Sequence, residues 1–304
     1  MTSFAARASG LARRFGTVEA VRGVGFEVAR GEVFGLVGPD GAGKTTTLRM
    51  LCGLIDPDAG EREVCGLSVV DHPDEVRDRI GYMAQKFGLY SDLSVEENMD
   101  FYADLFGVPE VELSPLKERL LEMTRMTPFR ARAAGKLSGG MKQKLSLMCT
   151  LLHKPELLIL DEPTNGVDPV SRRDFWLILE ELVRGGMSVL VATAYLDEAE
   201  RCHRVGMMYQ GRLILVDTPA ALRDNLPELC YAIRGEALRE AKADLEGQAD
   251  VADVQLSGAE LHVLLKPGAD TRALDRLGRS YERIRPRLED VLIAEIRRQS
   301  LRAA

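Results

Sequence analysis

No apolar run in the chain approaches the ~20 residues that a membrane-spanning helix needs. The longest, around Leu157–Leu160 and Val189–Ala194, have the length of buried strands, so any membrane connection is expected to run through a partner. Cysteine is scarce. Cys52, Cys65, Cys149, Cys202 and Cys230 are odd in number and show no CxxC spacing, so neither a disulfide framework nor a zinc site is expected, and a cytosolic setting fits. Met1–Arg14 carries arginines with no apolar stretch behind them, so no secretory signal is expected. Basic excess is also missing: 40 Lys and Arg face 47 Asp and Glu, for a net charge of −7, which argues against nucleic acid as the main partner. What is present is a 45% hydrophobic fraction in 304 residues, enough for about two domains with packed cores.

Over the first two-thirds of the chain, short apolar runs alternate with longer amphipathic ones. Val33–Val37, Leu157–Leu160 and Ser188–Thr193 read as strands that are apolar on both faces, the pattern of a sheet covered on both sides. Helical spacing follows each, over Lys44–Cys52, Pro169–Val183 and Leu196–Arg201, which predicts a mainly parallel α/β sheet. The intervening stretch is richer in helix. It includes Ser94–Phe106, where Ser94 and Glu97 have capping-box spacing, and Pro115–Thr124. The pattern changes near Asp224–Pro227. Beyond it come a strand at Tyr231–Arg234, a helix at Glu236–Leu245 and a hairpin of Asp253–Leu256 with Glu260–Leu265 about Ser257–Gly258. A helix at Thr271–Leu277, a strand at Tyr281–Ile284 and a closing helix at Leu288–Leu301 complete a small α+β domain of the split βαβ type.

Gly38-Pro39-Asp40-Gly41-Ala42-Gly43-Lys44-Thr45 matches GxxxxGK[ST] between a predicted strand and a predicted helix. Glycines let backbone wrap a phosphate without a Cβ in the way. The amides then point inward as an anion nest, and the following helix adds the positive end of its dipole. Lys44 can reach the β- and γ-phosphates, the Thr45 hydroxyl can hold Mg²⁺, and Thr46 is counted with them. Further on, Leu157–Leu160 runs into Asp161, Glu162 and Pro163. Carboxylates at the C-terminal edge of a parallel sheet face the ligand crevice. Asp161 is therefore placed to bind Mg²⁺ through water, and Glu162 to polarise an attacking water as general base. Leu137-Ser138-Gly139-Gly140-Met141-Lys142-Gln143 opens an amphipathic helix. Local chemistry favours a plain N-cap there, and the free amides also allow a second phosphate site.

In order along the chain, the phosphate loop, Gln85, LSGGMKQ at 137–143, LLILDEP at 157–163 and NGVD at 165–168 resemble ABC transporter ATPase subunits over about residues 10–225. Tyr82–Tyr90 and Phe101–Gly107 resemble the bacterial drug-export type. The resemblance implies an α/β P-loop NTPase core of ABC type over residues 1–225, with a helical subdomain at about 88–150. Residues 226–304 would be the small α+β accessory or dimerisation domain that such subunits often carry. It implies ATP hydrolysis with Mg²⁺ in a head-to-tail pair of ATPase domains, homodimer or heterodimer. Each site would join the phosphate loop of one domain to Ser138, Gly139 and Gly140 of the other. Phe15 would stack on adenine, Asp168 would couple the two sites, and Gln85 would sense γ-phosphate or Mg²⁺ and relay its state to an integral-membrane permease subunit. On local grounds Phe15 is also an ordinary core aromatic, Gln85 a solvated loop residue and Asp168 the N-cap ahead of Pro169. The implied location is cytoplasmic, peripheral on the inner face of the cell membrane.

Two positions depart from that pattern. Ala194 stands where the family usually has a histidine, and alanine cannot donate a hydrogen bond to γ-phosphate. A hydrogen bond to a charged group is worth ~1.5–3 kcal/mol, so its loss slows hydrolysis by roughly tenfold to over a hundredfold. Tyr195 is expected to point elsewhere, and His203 to lie on the surface. Asp40, where asparagine is commoner, adds negative charge near the phosphates. The expected function is an ATP-hydrolysing subunit that powers export by a separate membrane-spanning subunit. The alternative is an ATP-binding regulatory subunit with little hydrolysis of its own.

Overall fold

The computed structural model describes residues 4–86 and 88–303, with side chains as far as Gln299. Met1–Ser3, at the head of the segment weighed as a leader, and Phe87, inside the drug-export-like segment, lie outside the described residues. The chain separates into two compact units, Met1–Val216 and Asp217–Ala304.

In the first unit Val33–Val37, Leu157–Asp161 and Ser188–Thr193 are buried at every residue, as unbroken apolar strands must be when helices or a second sheet cover both faces. They belong to a six-stranded sheet in the order Arg212–Asp217, Arg204–Tyr209, Val33–Val37, Ser188–Thr193, Leu157–Asp161, Ile80–Met83. The pairings among the last five are parallel. Val37 pairs with Thr193 and Asp161 with Ala192, so the ends of the phosphate-loop strand and of the acidic strand flank one shared neighbour.

The parallel pattern holds for this central sheet only. Val18–Ala29, Phe4–Phe15, Ala59–Val64 and Leu67–Ser68 form a separate four-stranded antiparallel sheet, in that order. Its sequence signal is alternation: Val24, Phe26 and Val28 are buried while Gly25 and Glu27 are exposed. The helix Lys44–Leu51 packs between the two sheets and buries Leu48, Met50 and Leu51.

Arg62, on strand Ala59–Val64, has a side chain only 2% exposed. It donates to the carbonyls of Met50 and Ile55, each at 2.6 Å, and to Asp56 Oδ1 at 2.6 Å. Met50 is in the last turn of the phosphate-loop helix, where its carbonyl also accepts the Gly53 N–H at 3.0 Å, and Ile55 lies just past that helix. Arg62→Leu is expected to lower stability by ~1–3 kcal/mol, the cost of leaving a buried acceptor such as the Ile55 carbonyl unpaired. The urea midpoint should fall with an unchanged m-value, and an unmoved midpoint would show that water replaces the guanidinium.

Val95–Leu105 carries the capping box of Ser94 and Glu97. The next helix is Glu110–Met123 and not Pro115–Thr124: it starts earlier, and Pro115 lies inside it. Glu112 and Leu113 bond back to the Pro109 carbonyl and set the first turn. Pro115 then removes only one later backbone bond, which the burial of Leu113, Leu120 and Leu121 outweighs.

The second unit has the sheet order Val251–Ser257, Glu260–Leu265, Leu229–Arg234, Tyr281–Arg283, antiparallel throughout. With helices Leu238–Leu245 and Arg272–Asp275 between strands, this is split βαβ connectivity. The junction falls at Asp217, ahead of the 224–227 stretch. The reason is the helix Pro219–Asp224, capped by Thr218, which packs on the final helix Leu288–Ala303. Its Asp224 receives both Arg285 Nη2 hydrogen bonds, at 2.7 and 2.9 Å.

All five cysteines are free and buried. Cys230 nevertheless joins His262 and Asp290 in a buried polar cluster that spacing along the chain did not reveal. His262 Nδ1 lies 3.3 Å from Asp290 Oδ1, and the other Asp290 oxygen accepts the Arg287 N–H at 2.7 Å and faces the Cys230 thiol at 3.9 Å. The contacts tie the final helix to the sheet, and His262 Nε2 is left buried without a hydrogen-bond partner among the described residues. No helix among the described residues is long and apolar enough to cross a membrane.

Candidate functional site

The loop after Val37 is fixed by backbone packing as much as by any ligand. A Cβ on Gly38 would sit 2.2 Å from the Met208 carbonyl oxygen, and one on Gly43 2.4 Å from that of Ala20. Gly43 also has φ +103°, open to glycine at little cost. The amides of Lys44, Thr45 and Thr46 precede the first intrahelical bond, Thr47 N–H to Gly43 O at 3.0 Å, and so are available to an anion.

Lys44 is 4% exposed. Its Nζ donates to Gly38 O at 2.8 Å and Pro39 O at 3.1 Å and lies 3.3 Å from Glu162 Oε1. The Thr45 hydroxyl donates to Asp161 Oδ1 at 2.9 Å, and Tyr82 OH reaches Asp161 Oδ2 at 3.5 Å. Burial pushes the Asp161 carboxyl above its ordinary range, against the pull of the Thr45 hydrogen bond. A buried carboxylate beside a hydroxyl at the mouth of an anion nest is a hard-oxygen donor pair that suits Mg²⁺.

Glu162 leaves the strand with φ +49°, held by its N–H to Ala192 O at 2.9 Å. Its Oε2 accepts Gln85 Nε2 at 3.3 Å and Asn165 Nδ2 at 3.2 Å. The cleft above these groups has a volume of about 620 Å³, and Asp40, Lys44, Thr45, Thr46, Gln85 and Glu162 are among its lining.

The structure thus brings together the phosphate loop from Gly38 to Thr46, including Pro39, Gly41 and Ala42, with Gln85, Asp161 and Glu162. Other expected residues lie apart. Phe15 ends its strand 47% exposed, beneath the Arg13 guanidinium at 5.0 Å, while Val18 across the turn lines the cleft. Asp168 caps Pro169–Arg184, accepting from Val170 N–H at 3.1 Å and Ser171 N–H at 2.9 Å. The Ser171 amide, first among these contacts, holds its carboxyl below the usual range. Ser138 caps Gly139–Leu151 through Met141 N–H at 3.4 Å, and neither it nor Gly139 or Gly140 lines the cleft.

Three outcomes were not anticipated. Ala194 is exposed at the end of its strand. Tyr195 does not line the cleft, but its hydroxyl lies 3.4 Å from Asn165 Oδ1. Asn165 itself touches Glu162, and its signal was present in the sequence, three residues past the base at the head of NGVD. His203 is exposed as expected, with Nδ1 accepting Val33 N–H at 3.0 Å.

A family profile described as "ABC transporter" matches residues 21–165. The chain is 42% identical over 293 residues to the probable multidrug ABC transporter ATP-binding protein YbhF of Escherichia coli strain K12, covering 94% of this chain and 51% of that one. It therefore spans about half the length of that relative. Against the daunorubicin resistance ATP-binding protein DrrA2 of Streptomyces coeruleorubidus it is 36% identical over 306 residues, covering 96% of this chain and 95% of the relative. Among solved structures, cbiO1 from Clostridium perfringens, described as part of the ABC transporter complex cbiONQ, has a TM-score of 0.68 at 27% identity over 74% of this chain and 92% of that one. With the phosphate loop, the acidic strand end and the Ser-Gly-Gly helix in one α/β unit, the chain belongs to the ATP-binding proteins of the ABC transporter family and has their P-loop ATPase cassette fold.

Proposed function

We propose that the chain binds ATP with Mg²⁺ and hydrolyses it to drive export through a separate integral-membrane permease. The observation that carries this reading is the convergence of Lys44, Thr45, Asp161 and Glu162 on one cleft, through the Lys44–Glu162 and Thr45–Asp161 pairs. An entering phosphate competes with Glu162 for Lys44. Glu162 Oε1 is then released as a proton acceptor only when nucleotide is present, which ties the base to its substrate. Thr45 and Asp161 would hold Mg²⁺, whose chemistry is to neutralise charge on the phosphates. Gln85 donates to Glu162 and can report the state of that oxygen to the surface.

Ser138 and Gly139 are exposed and absent from their own chain's cleft, which supports a head-to-tail pair in which each copy or paralogue covers the other's nucleotide. Phe15 would stack on adenine, and Asp168 would meet the partner domain while keeping its cap. In the helical region about 88–150, Tyr90, Phe101, Leu105 and Phe106 are exposed apolar side chains, which supports permease docking there and a place on the inner face of the membrane. The second unit, from Asp217 on, would serve dimer contact or regulation.

Gly139→Asp tests the pair. A Cβ at 139 has only the Gly166 carbonyl near, at 3.9 Å, and aspartate suits a helix start, so the fold should persist. Nucleotide binding to the single chain should remain, while Mg²⁺-ATP-driven association and turnover are lost. Association that survives the added charge would refute the shared site.

The exposed Ala194 favours a second reading, a nucleotide-dependent clamp with little turnover. Ala194→His is expected to raise steady-state ATPase by about tenfold to over a hundredfold, by the value of one charge-assisted hydrogen bond. A nearly silent parent with a large gain in the variant favours the clamp. A fast parent with little gain favours the motor.

A further inference from the structure

The geometry points to Tyr195, acting through Asn165, as a positioning residue for Glu162. The inference rests on the proposed hydrolytic role of Glu162. The Tyr195 hydroxyl donates to Asn165 Oδ1 at 3.4 Å, and Asn165 Nδ2 donates to Glu162 Oε2 at 3.2 Å. An amide whose oxygen is engaged has its nitrogen oriented, so the tyrosine fixes which end of Asn165 faces the carboxylate. Gln85 holds the same carboxylate oxygen, and Lys44, itself bonded to the Gly38 and Pro39 carbonyls, holds the other; Asn165 is anchored from behind by a side chain.

That anchor is built into the scaffold. The Arg172 guanidinium lies 3.9 Å above the Tyr195 ring, and Tyr195 N–H donates to Thr193 Oγ1 at 3.0 Å. Glu198, 1% exposed, accepts the Thr193 hydroxyl at 2.7 Å and also the Thr164 hydroxyl. Arg172 Nε stands 3.6 Å from the same carboxylate. The turn after strand Ser188–Thr193 and the loop carrying Glu162 and Asn165 are therefore tied at a buried acid, with Tyr195 bridging them at the surface. Ala194 supplies no donor at this strand end, and its neighbour supplies one by way of Asn165.

The test is Tyr195→Phe, Asn165→Ala and their double variant in the full chain, with steady-state ATPase kinetics and equilibrium Mg²⁺-ATP binding. Tyr195→Phe should lower kcat about fivefold to tenfold, the effect of one neutral hydrogen bond, and leave KM, ATP affinity and melting temperature unchanged. Asn165→Ala should lower kcat at least as much, again with ATP affinity unchanged. The double variant should be no worse than Asn165→Ala alone, because the tyrosine acts through the amide. Additive losses, or an unchanged kcat in Tyr195→Phe from an active parent, overturn this inference and leave the hydrolytic reading standing. A parent with no Mg²⁺-dependent turnover overturns both.

Discussion

Glu162→Gln is expected to reduce ATP turnover by about 10²–10⁴-fold, the usual contribution of a positioned general base, while nucleotide binding is kept or tightened. The structure gives the reason for the second half. Glu162 Oε1 pairs with Lys44 at 3.3 Å, so the carboxylate and the incoming phosphates contend for one cation. A neutral amide of the same shape withdraws from that contest. Lys44 retains the carbonyls of Gly38 and Pro39, so the loop should keep its form. Phosphate-release kinetics and equilibrium binding of a fluorescent nucleotide separate the two effects. Turnover within tenfold of the parent would mean that another group removes the proton.

Lys44→Ala should weaken Mg²⁺-ATP binding by roughly tenfold to over a hundredfold, the value of a charge-assisted hydrogen bond of ~1.5–3 kcal/mol. A thermal melt reads this without an activity assay. At a nucleotide concentration of ~100 Kd for the parent, binding adds ~2.7 kcal/mol to stability, and for a variant bound a hundredfold more weakly that gain falls to ~0.4 kcal/mol. The nucleotide-dependent shift in Tm should therefore nearly vanish. An undiminished shift would place the phosphates away from Lys44.

The site was legible where its chemistry is contiguous. Eight residues from Gly38 to Thr45 carry loop, cation and hydroxyl together, and Asp161 and Glu162 follow one apolar strand, so pattern and position agree. The central strands were legible because burial on both faces leaves no alternation to misread. The antiparallel sheet was passed over because Gly23 and Gly25 thin out the alternating signal around Val24, Phe26 and Val28. Asn165 and Tyr195 stayed hidden because they are thirty positions apart and meet only across the ends of two neighbouring strands. The left-handed turn at Glu162 leaves no mark in composition, since glutamate is not a residue that favours it. The split βαβ order was readable from strand and turn spacing, whereas the cluster of Cys230, His262 and Asp290 draws on two strands and a helix far apart in the chain.

The two glycines wedged against Met208 and Ala20 have a kinetic consequence. A cradle braced on both sides by neighbouring strands has its shape before any nucleotide arrives, so capture involves little ordering of the main chain. The slow motion on entry should then be the swing of one ammonium group from its carbonyl perch to the phosphates. Association rates should accordingly respond to ionic strength far more than to mild denaturant.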